Sequence, residues 1–164
     1  MIIFLKNKHT LQVDEFLFKC SIGKNGVSKK KFEGDKKTPR GLFNLGDLYY
    51  RKDRNKKICS KLRLNKITKS MSWCDDSKSK KFYNKLINID TNLKHEKLFR
   101  NDHKYDLLIP INYNMNKPKL GRGSCIFLHL TNNFKPTAGC IALKKKDFLV
   151  MLRVLDKKNK IKVF

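Results

Sequence analysis

Short apolar segments, bounded by polar or glycine-containing turns, dominate the N-terminal part of the chain. Residues 2–5 and 11–13 lie on either side of a polar turn, which predicts a β-hairpin. Residues 16–22 form a third apolar segment, and residues 23–37 are polar and predict a loop. A Pro-Arg-Gly turn then leads into a predicted strand over 42–50.

The C-terminal part returns to the same pattern of short apolar strands. Residues 105–112 and 125–130 are both apolar and predict two strands of the sheet. Pro110 lies inside the first of them and lacks a backbone N–H, so it predicts an edge strand or a bulge. Residues 161–164 predict a terminal strand.

One amphipathic helix is predicted before that last strand, because four apolar side chains recur there at helical spacing. They are Phe148, Leu149, Leu152 and Leu155. Residues 51–101 show no clear period and predict loops and short helices that cap the sheet. The length of 164 residues suits one domain. We therefore predict a single mainly β domain over 1–164, sandwich- or barrel-like, with one C-terminal helix and short capping helices.

The chain carries a formal charge of +25, from 39 Lys and Arg against 14 Asp and Glu. Such a charge attracts anionic polymers, either nucleic acid or a carboxylate-rich cell wall. The basic residues are spread over the whole chain, without zinc-finger spacing or an RNP-like segment. An AT-rich coding sequence would also produce such an excess of lysine, without any selection for binding an anionic polymer. We therefore predict no specific nucleic-acid binding, and a basic nucleic-acid-binding domain is the alternative of another class.

The longest apolar run at the N-terminus covers only residues 1–5 before Lys6. A bilayer span needs roughly 20 apolar residues, and a signal peptide needs a basic segment followed by a longer apolar one. The sequence thus predicts no membrane span and shows no signal peptide.

The cysteines are five in number and contain no C-x-x-C pair, which argues against a complete disulfide framework and against a zinc knuckle. They are Cys20, Cys59, Cys74, Cys125 and Cys140. The histidines that could bind a metal together with Asp75 or Asp76 are His9, His95 and His103. No two histidines are four residues apart, so we predict neither a metal site nor a cofactor.

Cys140 is the strongest candidate for a catalytic residue. A thiol attacks carbonyl groups as the thiolate, and a nearby imidazole is the usual means of generating one at neutral pH. Gly139 allows positive φ, so that consecutive N–H groups, those of Gly139 and Cys140, could face the oxygen that becomes an anion. Thr137, Ala138 and Gly139 shape the turn on which an exposed thiol would be held rigidly.

His129 lies at the end of the apolar strand, eleven positions before Cys140, and the loop 131–137 brings the chain back beside it. We predict that His129 is a general base oriented by a backbone carbonyl, and the alternative is a buried structural histidine. Cys125 is four residues from His129 on the same predicted strand, about 13 Å away. It is predicted to be a packing thiol.

Five segments in order give the chain a resemblance that covers nearly its whole length. They are residues 38–43 (TPRGLF), 73–76 (WCDD), 105–106 (YD), 121–129 (GRGSCIFLH) and 136–143 (PTAGCIAL). Together they resemble the L,D-transpeptidase catalytic domain, the YkuD-type fold, in its stand-alone bacterial branch.

The resemblance implies that Cys140 is the nucleophile and His129 the base, with Thr137 where the family has Ser or Thr. The family often has a His where this chain has Ala138, and an Asn or Arg where it has Ala142. Within the motifs, Arg122 and Ser124 are candidate substrate-binding residues, Arg122 for a carboxylate of the substrate.

The implied activity is acyl transfer between peptidoglycan stem peptides by a monomer without a cofactor. Cleavage of the bond between diaminopimelate and D-alanine would leave a thioester on the enzyme, and an amine of a second stem would resolve it and cross-link the wall. An L,D-carboxypeptidase that uses water as the acceptor is the alternative within the same chemistry. The implied location is the cell envelope or periplasm.

Overall fold

The computed structural model describes residues 1–29, 31–88 and 92–164. Within these ranges the chain forms fifteen β-strands and one α-helix. The strands are β1 (Ile2–Leu5), β2 (Thr10–Val13), β3 (Phe16–Ser21), β4 (Val27–Ser28), β5 (Thr38–Pro39), β6 (Gly41–Asn44), β7 (Leu48–Tyr50), β8 (Leu64–Lys66), β9 (Met71–Cys74), β10 (Leu86–Asn88), β11 (His95–Lys97), β12 (Leu107–Pro110), β13 (Phe127–Leu130), β14 (Ile141–Leu143) and β15 (Lys160–Val163). The helix α1 covers Lys145–Val154.

Ten strands form one sheet in the order β6-β15-β1-β2-β3-β14-β13-β12-β7-β8. β1, β2 and β3 are antiparallel neighbours, in agreement with the predicted hairpin. β15 lies parallel to β1, and β14 lies parallel to β13. Two smaller sheets have the orders β10-β9-β11 and β4-β5. The mainly β fold class is confirmed.

The central strands β12, β13 and β14 are buried along their whole length. Side chains on one of their faces pack into the main core with those of α1. These side chains include Leu107, Ile109, Leu128, Leu130, Ile141 and Leu143 from the strands and Phe148, Met151 and Leu152 from the helix. Burying one such side chain contributes about 1.5–3 kcal/mol, so this layer fixes the strands on which the candidate site is built.

The opposite face of these strands is covered as well, which explains why they are apolar throughout rather than alternating. Leu108, Phe127 and Cys140 pack there in a second cluster with Trp73 of β9 and with Tyr105. The edge of the Trp73 ring system meets Phe127 at a centroid distance of 5.3 Å. The small sheet β10-β9-β11 therefore forms one side of the layer that encloses Cys140.

The region 51–101 was predicted to contain loops and short capping helices, and the prediction of helices is wrong. Its described residues form turns and the strands β8 to β11. β9 is held between β10 and β11 by cross-strand pairing. Strands of three or four residues are too short to show a period, and their pairing partners lie elsewhere in the sequence.

Two further strand predictions are modified by the structure. The predicted strand over 42–50 is divided into β6 and β7, which have different neighbours in the sheet. Pro110 lies in an inner strand, between β13 and β7, and not at an edge. On the β7 side Tyr49 faces Leu108. The next bridge joins Leu45 to Ile111, so three residues face two and Pro110 lies at a bulge.

Among the described residues, no helix has the length and apolar character that crossing a bilayer requires.

Candidate active site

The turn that carries Cys140 is held by the hydroxyl of Thr137. Thr137 Oγ1 donates a hydrogen bond to the Cys140 carbonyl at 2.6 Å and accepts one from the Gly139 N–H at 3.1 Å. The Thr137 N–H donates to the Ile22 carbonyl at 2.9 Å, which ties the turn to the end of β3. The Thr137 hydroxyl therefore bridges the turn.

Gly139 adopts φ +144°, in the region that the sequence predicted for it. A Cβ at this position would lie 2.8 Å from the Lys37 carbonyl oxygen and 3.1 Å from Cδ1 of Ile126. Any side chain would therefore push the turn away from the loop that precedes β5. Glycine is required both for the backbone conformation and for this close approach.

The Cys140 thiol is buried, with 6% of the residue exposed. Its Sγ donates to the Cys125 carbonyl at 3.2 Å and accepts from the Phe127 N–H at 3.3 Å. Burial, together with the negative charge of Glu96, raises the pKa of the thiol to about 12. The resting side chain is therefore a neutral thiol, and the exposed thiol predicted from the sequence is not what the structure shows.

His129 reaches the same side of the sheet as Cys140. The parallel pairing of β13 with β14 sets His129 opposite Ala142, and Cys140 lies two residues before Ala142. Side chains two residues apart in a strand point to the same face and are separated by about 7 Å along it. Both side chains line one cavity, although no described hydrogen bond joins the thiol to the imidazole.

The imidazole contacts a backbone carbonyl: His129 Nδ1 lies 2.9 Å from the Leu130 oxygen. A carbonyl can only accept, so Nδ1 carries the proton and Nε2 is left as an acceptor. Burial lowers the pKa of His129 to about 4. The side chain is thus a neutral imidazole at pH 7, with its basic nitrogen available.

Aromatic residues fix the position of the imidazole. The Tyr105 ring meets His129 edge-on at a centroid distance of 5.4 Å, and it meets Phe127 in the same way at 5.8 Å. The Tyr105 hydroxyl donates to Glu96 at 2.6 Å. Partial burial raises the pKa of Glu96. Tyr105 is thereby held at both ends, which restricts the ring against which His129 packs.

Cys140 and His129 open onto a cavity of about 640 Å³. Ionisable side chains of both signs line it, which suits a ligand that carries both carboxylates and amines. The basic ones are Lys31, Lys94, Arg100, Lys104 and Lys135, and the acidic ones are Glu33, Asp75 and Glu96.

Of the other candidate site residues, two line the cavity of Cys140 and one lies elsewhere. Ala138 and Ser124 line the cavity of Cys140. The Ser124 hydroxyl donates to Glu33 at 2.8 Å, so it is engaged within the protein. The Arg122 side chain lines a separate depression beside Phe43, and the described lining of the Cys140 cavity does not include it.

Two residues that support the site were not identified from the sequence, because their partners are distant in the chain. Glu33 lines the cavity, whereas Asn84 holds residues beside it. Glu33 accepts hydrogen bonds from Tyr83 at 2.5 Å and from Ser124 at 2.8 Å. Asn84 accepts from the Trp73 indole at 3.0 Å and from the Cys125 N–H at 3.2 Å. The neighbouring Trp-Cys-Asp-Asp segment was the only signal in the sequence for this part of the site.

Two of the three histidines considered as metal ligands, His95 and His103, have other partners. His95 Nδ1 lies 2.7 Å from the Leu93 carbonyl, and His103 Nδ1 lies 2.8 Å from Asp106. Across the described ranges, no three His, Cys, Asp or Glu side chains are grouped as a metal site requires.

The burial of neutral His129 predicts a loss of stability in acid. Between pH 6.5 and about 4 the unfolded chain binds a proton at His129 that the folded chain does not, so the free energy of unfolding falls as the pH falls. From pH 7.5 to pH 4.5 this contribution amounts to about 2.5 kcal/mol. Urea titrations at the two pH values should show that the free energy of unfolding falls less in His129→Gln than in the parent protein, by about that amount. Equal losses in the two proteins would contradict a depressed pKa.

The fold and the cavity define a mainly β domain with a buried thiol and a neutral imidazole in one cleft. The family model described as the L,D-transpeptidase catalytic domain, YkuD, matches residues 2–163. The chain belongs to this family, which confirms the resemblance found in the sequence.

Among solved structures, the chain is similar to the helical cell shape determining protein Pgp2 from Campylobacter jejuni, with a TM-score of 0.47 and 19% identity. The match covers 99% of this chain and 46% of that one, so the chain spans about half the length of that protein. No curated protein matches the sequence.

Proposed function

We propose that the chain is a peptidoglycan L,D-transpeptidase that uses Cys140 as its nucleophile. The observation that carries the proposal is the joint placement of the Cys140 thiol and the His129 imidazole in one cavity, with Nε2 of His129 left unprotonated. Membership of the L,D-transpeptidase family supports the substrate class. Peptidoglycan stem peptides carry carboxylates and amines, and the charged lining of the cavity suits such ligands.

The proposed reaction begins with attack of Cys140 Sγ on the amide that joins the L-centre of diaminopimelate to the terminal D-alanine. The thiol proton passes to His129 Nε2, and a C–S bond forms as the carbonyl oxygen becomes an anion. Collapse of this intermediate breaks the C–N bond, and His129 returns the proton to the departing D-alanine amine. An amine of a second stem then attacks the thioester, and its proton is passed through His129 to the thiol.

Proton transfer has to accompany attack in this site. Burial disfavours both members of a thiolate–imidazolium pair, raising the pKa of Cys140 to about 12 and lowering that of His129 to about 4. A preformed ion pair is therefore not the resting state. The thiol becomes nucleophilic only as its proton leaves for Nε2 with the substrate carbonyl in place.

The oxyanion donor that remains available in the turn is the Cys140 N–H. The sequence suggested the N–H groups of both Gly139 and Cys140, but the Gly139 N–H is already donated to Thr137 Oγ1. A single well-placed donor contributes roughly 3 kcal/mol in comparable sites. A second donor from Gly139 would require Thr137 to release its hydrogen bond.

Donor specificity is the sharpest test of the proposal. Tetrapeptide stems should acylate Cys140, whereas pentapeptide stems that end in D-alanyl-D-alanine should not. The Thr137 hydrogen bonds hold the turn rigidly, and inverting the centre beside the carbonyl moves its side chain out of the attack trajectory. A misplacement of about 1 Å can cost two orders of magnitude in rate.

Mass spectrometry of the protein after incubation with each purified muropeptide measures the acyl-enzyme and the products together. A thioester with the tetrapeptide and a cross-linked dimer would support the transpeptidase. A tripeptide without a dimer would identify the carboxypeptidase. Preferential acylation by the pentapeptide would refute the L,D assignment. We place the reaction in the cell envelope, where peptidoglycan is found.

A further inference from the structure

Lys31 is an exception among the many lysines of this chain. It is 4% exposed and is the one lysine classed as buried in the described part of the sequence. It also lines the cavity that contains Cys140. Lysine side chains are almost never fully buried unless they are paired, so the surroundings of this ammonium need an explanation.

The Lys31 ammonium is held by two acceptors. Nζ donates to Asp35 Oδ1 at 2.6 Å and to the Lys37 carbonyl at 2.7 Å. The Asp35 carboxylate also accepts the N–H groups of Phe32 at 3.2 Å and Lys37 at 2.9 Å. These contacts fold the segment 31–37 into a compact loop with its one buried cation at the centre.

The loop presses this cation against the turn that carries the nucleophile. The Lys37 carbonyl, which accepts from Lys31, lies 2.8 Å from the position where Gly139 would have a Cβ. Lys31 Nζ lies 3.5 Å from the same position. Gly139 immediately precedes Cys140, so the ammonium lies against the residue next to the one that carries the thiol.

Stability alone does not account for a buried ion pair here. Removing an ammonium and a carboxylate from water costs several kcal/mol per ion, and apolar side chains of similar volume are often as stable or more stable. The ion pair does, however, hold a charge at one fixed position, which is the back of the Gly139–Cys140 turn.

We propose that Lys31 is a positioning residue that supplies a fixed positive charge to the Cys140 turn. This charge stabilises the negative charge that forms on Sγ and on the attacked carbonyl oxygen, and Asp35 limits how much of it the thiol experiences. The inference rests on the proposed role of Cys140 as the nucleophile.

The charged and titratable groups that face the thiol come from several elements. They are Lys31 from its loop, Glu96 from β11, Tyr105 from the segment before β12, Cys125 from the segment before β13, and His129 from β13. Burial and the charge of Glu96 raise the pKa of Cys140, whereas the Phe127 N–H and the charge of Lys31 lower it. Within this set, Lys31 is the charge placed to favour the thiolate.

Alkylation of Cys140 by iodoacetamide measures this effect without any peptidoglycan substrate. Below the pKa the rate follows the thiolate fraction, so one pKa unit appears as a tenfold change in rate at each pH. The measurements use a Cys59→Ser background, because Cys59 is exposed and would consume the reagent. Peptide mass mapping confirms which thiol has reacted.

Opposite effects are expected from the two members of the ion pair. Lys31→Met should slow alkylation of Cys140 about tenfold between pH 7 and pH 10, whereas Asp35→Asn should accelerate it by up to about tenfold. A pair that only braces the loop would give changes in the same direction, since either variant breaks it. Lys31→Arg, which keeps the charge, should restore a rate close to that of the parent protein.

Lys24→Met is the matched control. Its side chain is exposed, and its backbone N–H donates to the Thr137 carbonyl of the same turn at 2.9 Å. The substitution removes one positive charge and should leave the rate of Cys140 alkylation unchanged. If Lys31→Met does not fold, Asp35→Asn decides alone: slower or unchanged alkylation would overturn the proposal.

Failure of this inference can be told apart from failure of the proposed function. If the tetrapeptide thioester forms but the two variants do not change the alkylation rate in opposite directions, the transpeptidase proposal stands and the proposed role of Lys31 is refuted. If the Lys31 and Asp35 variants change the alkylation rate in opposite directions but no thioester forms, the role of Lys31 is supported and the proposed substrate is refuted.

Discussion

Cys140→Ala should abolish acyl-enzyme formation with tetrapeptide stems, a loss of at least about 10⁴-fold in rate. The thiol supplies the only bond to the acyl group in the proposed reaction, and no other side chain of the cavity combines a nucleophilic atom with the backbone turn around Cys140. Intact-mass spectrometry after incubation with the muropeptide detects the adduct directly. Circular dichroism of the variant establishes that the sheet is retained.

Cys20→Ala provides a matched control for this prediction. Cys20 is buried like Cys140, and burial raises the pKa of each thiol to about 12. It belongs to the main core, paired with Leu143 across β3 and β14, and does not line the cavity. The Cys20 variant should acylate at the parent rate. Loss of the adduct in this variant, with retention in Cys140→Ala, would contradict the assignment of the nucleophile.

Simple alkylation of the unmodified chain should not single out Cys140. The sequence suggested an exposed thiol that a nearby imidazole converts into the thiolate, but the residue is buried and its pKa is raised. Cys59 is exposed and lies among lysines. Its reaction with a small reagent would therefore say nothing about catalysis, which is why the adduct with a muropeptide is the decisive measurement.

The local architecture of the site was predictable from the sequence because a few adjacent residues encode it. The turn needs a glycine for its positive φ and a hydroxyl to bridge it, and Gly139 and Thr137 supply both. The strand before the loop places His129, and the loop length returns the chain to it. Each of these features depends on neighbours within about a dozen residues.

The environment of the thiol was not predictable in the same way. Cys140 is covered by residues from β9, from the segment before β12 and from β13, which meet only in the folded chain. Lys31 looked like one more solvated lysine in a polar loop, and its burial depends on Asp35 and on the approach of Gly139. Long-range packing of this kind leaves no periodic signal in the sequence.

The small sheet shows the same limit at the level of the fold. Its strands have three or four residues, and β9 pairs with both β10 and β11 although the lysine-rich segment 75–85 separates β9 from β10 in the sequence. Helices were predicted there because short apolar clusters among lysines suit either structure. Strands form here because cross-strand hydrogen bonds stabilise them and because Trp73 packs on Phe127 of the main sheet.

His129→Gln should slow acylation by the tetrapeptide by about 100-fold or more, the usual contribution of a positioned general base. Glutamine can still donate to the Leu130 carbonyl and fill most of the space against Tyr105, so the fold should be retained. What is lost is the unprotonated Nε2, the acceptor for the thiol proton. The rate of adduct formation, followed by mass spectrometry at pH 7.5, measures the effect, and circular dichroism tests the fold.

His95→Gln separates a chemical role from a structural one. Like His129, His95 has its Nδ1 on a backbone carbonyl, that of Leu93 at 2.7 Å, but it lies on β11 and does not line the cavity. Its variant should acylate normally. The parent protein should also keep its rate of acylation until the pH approaches 4, because the depressed pKa of His129 leaves the imidazole neutral down to that point. An acid limb near pH 6.5 would contradict the depressed pKa of His129. A His129→Gln variant that loses its fold, or one that keeps its fold and acylates at the parent rate, would make His129 a core residue and remove the proposed base.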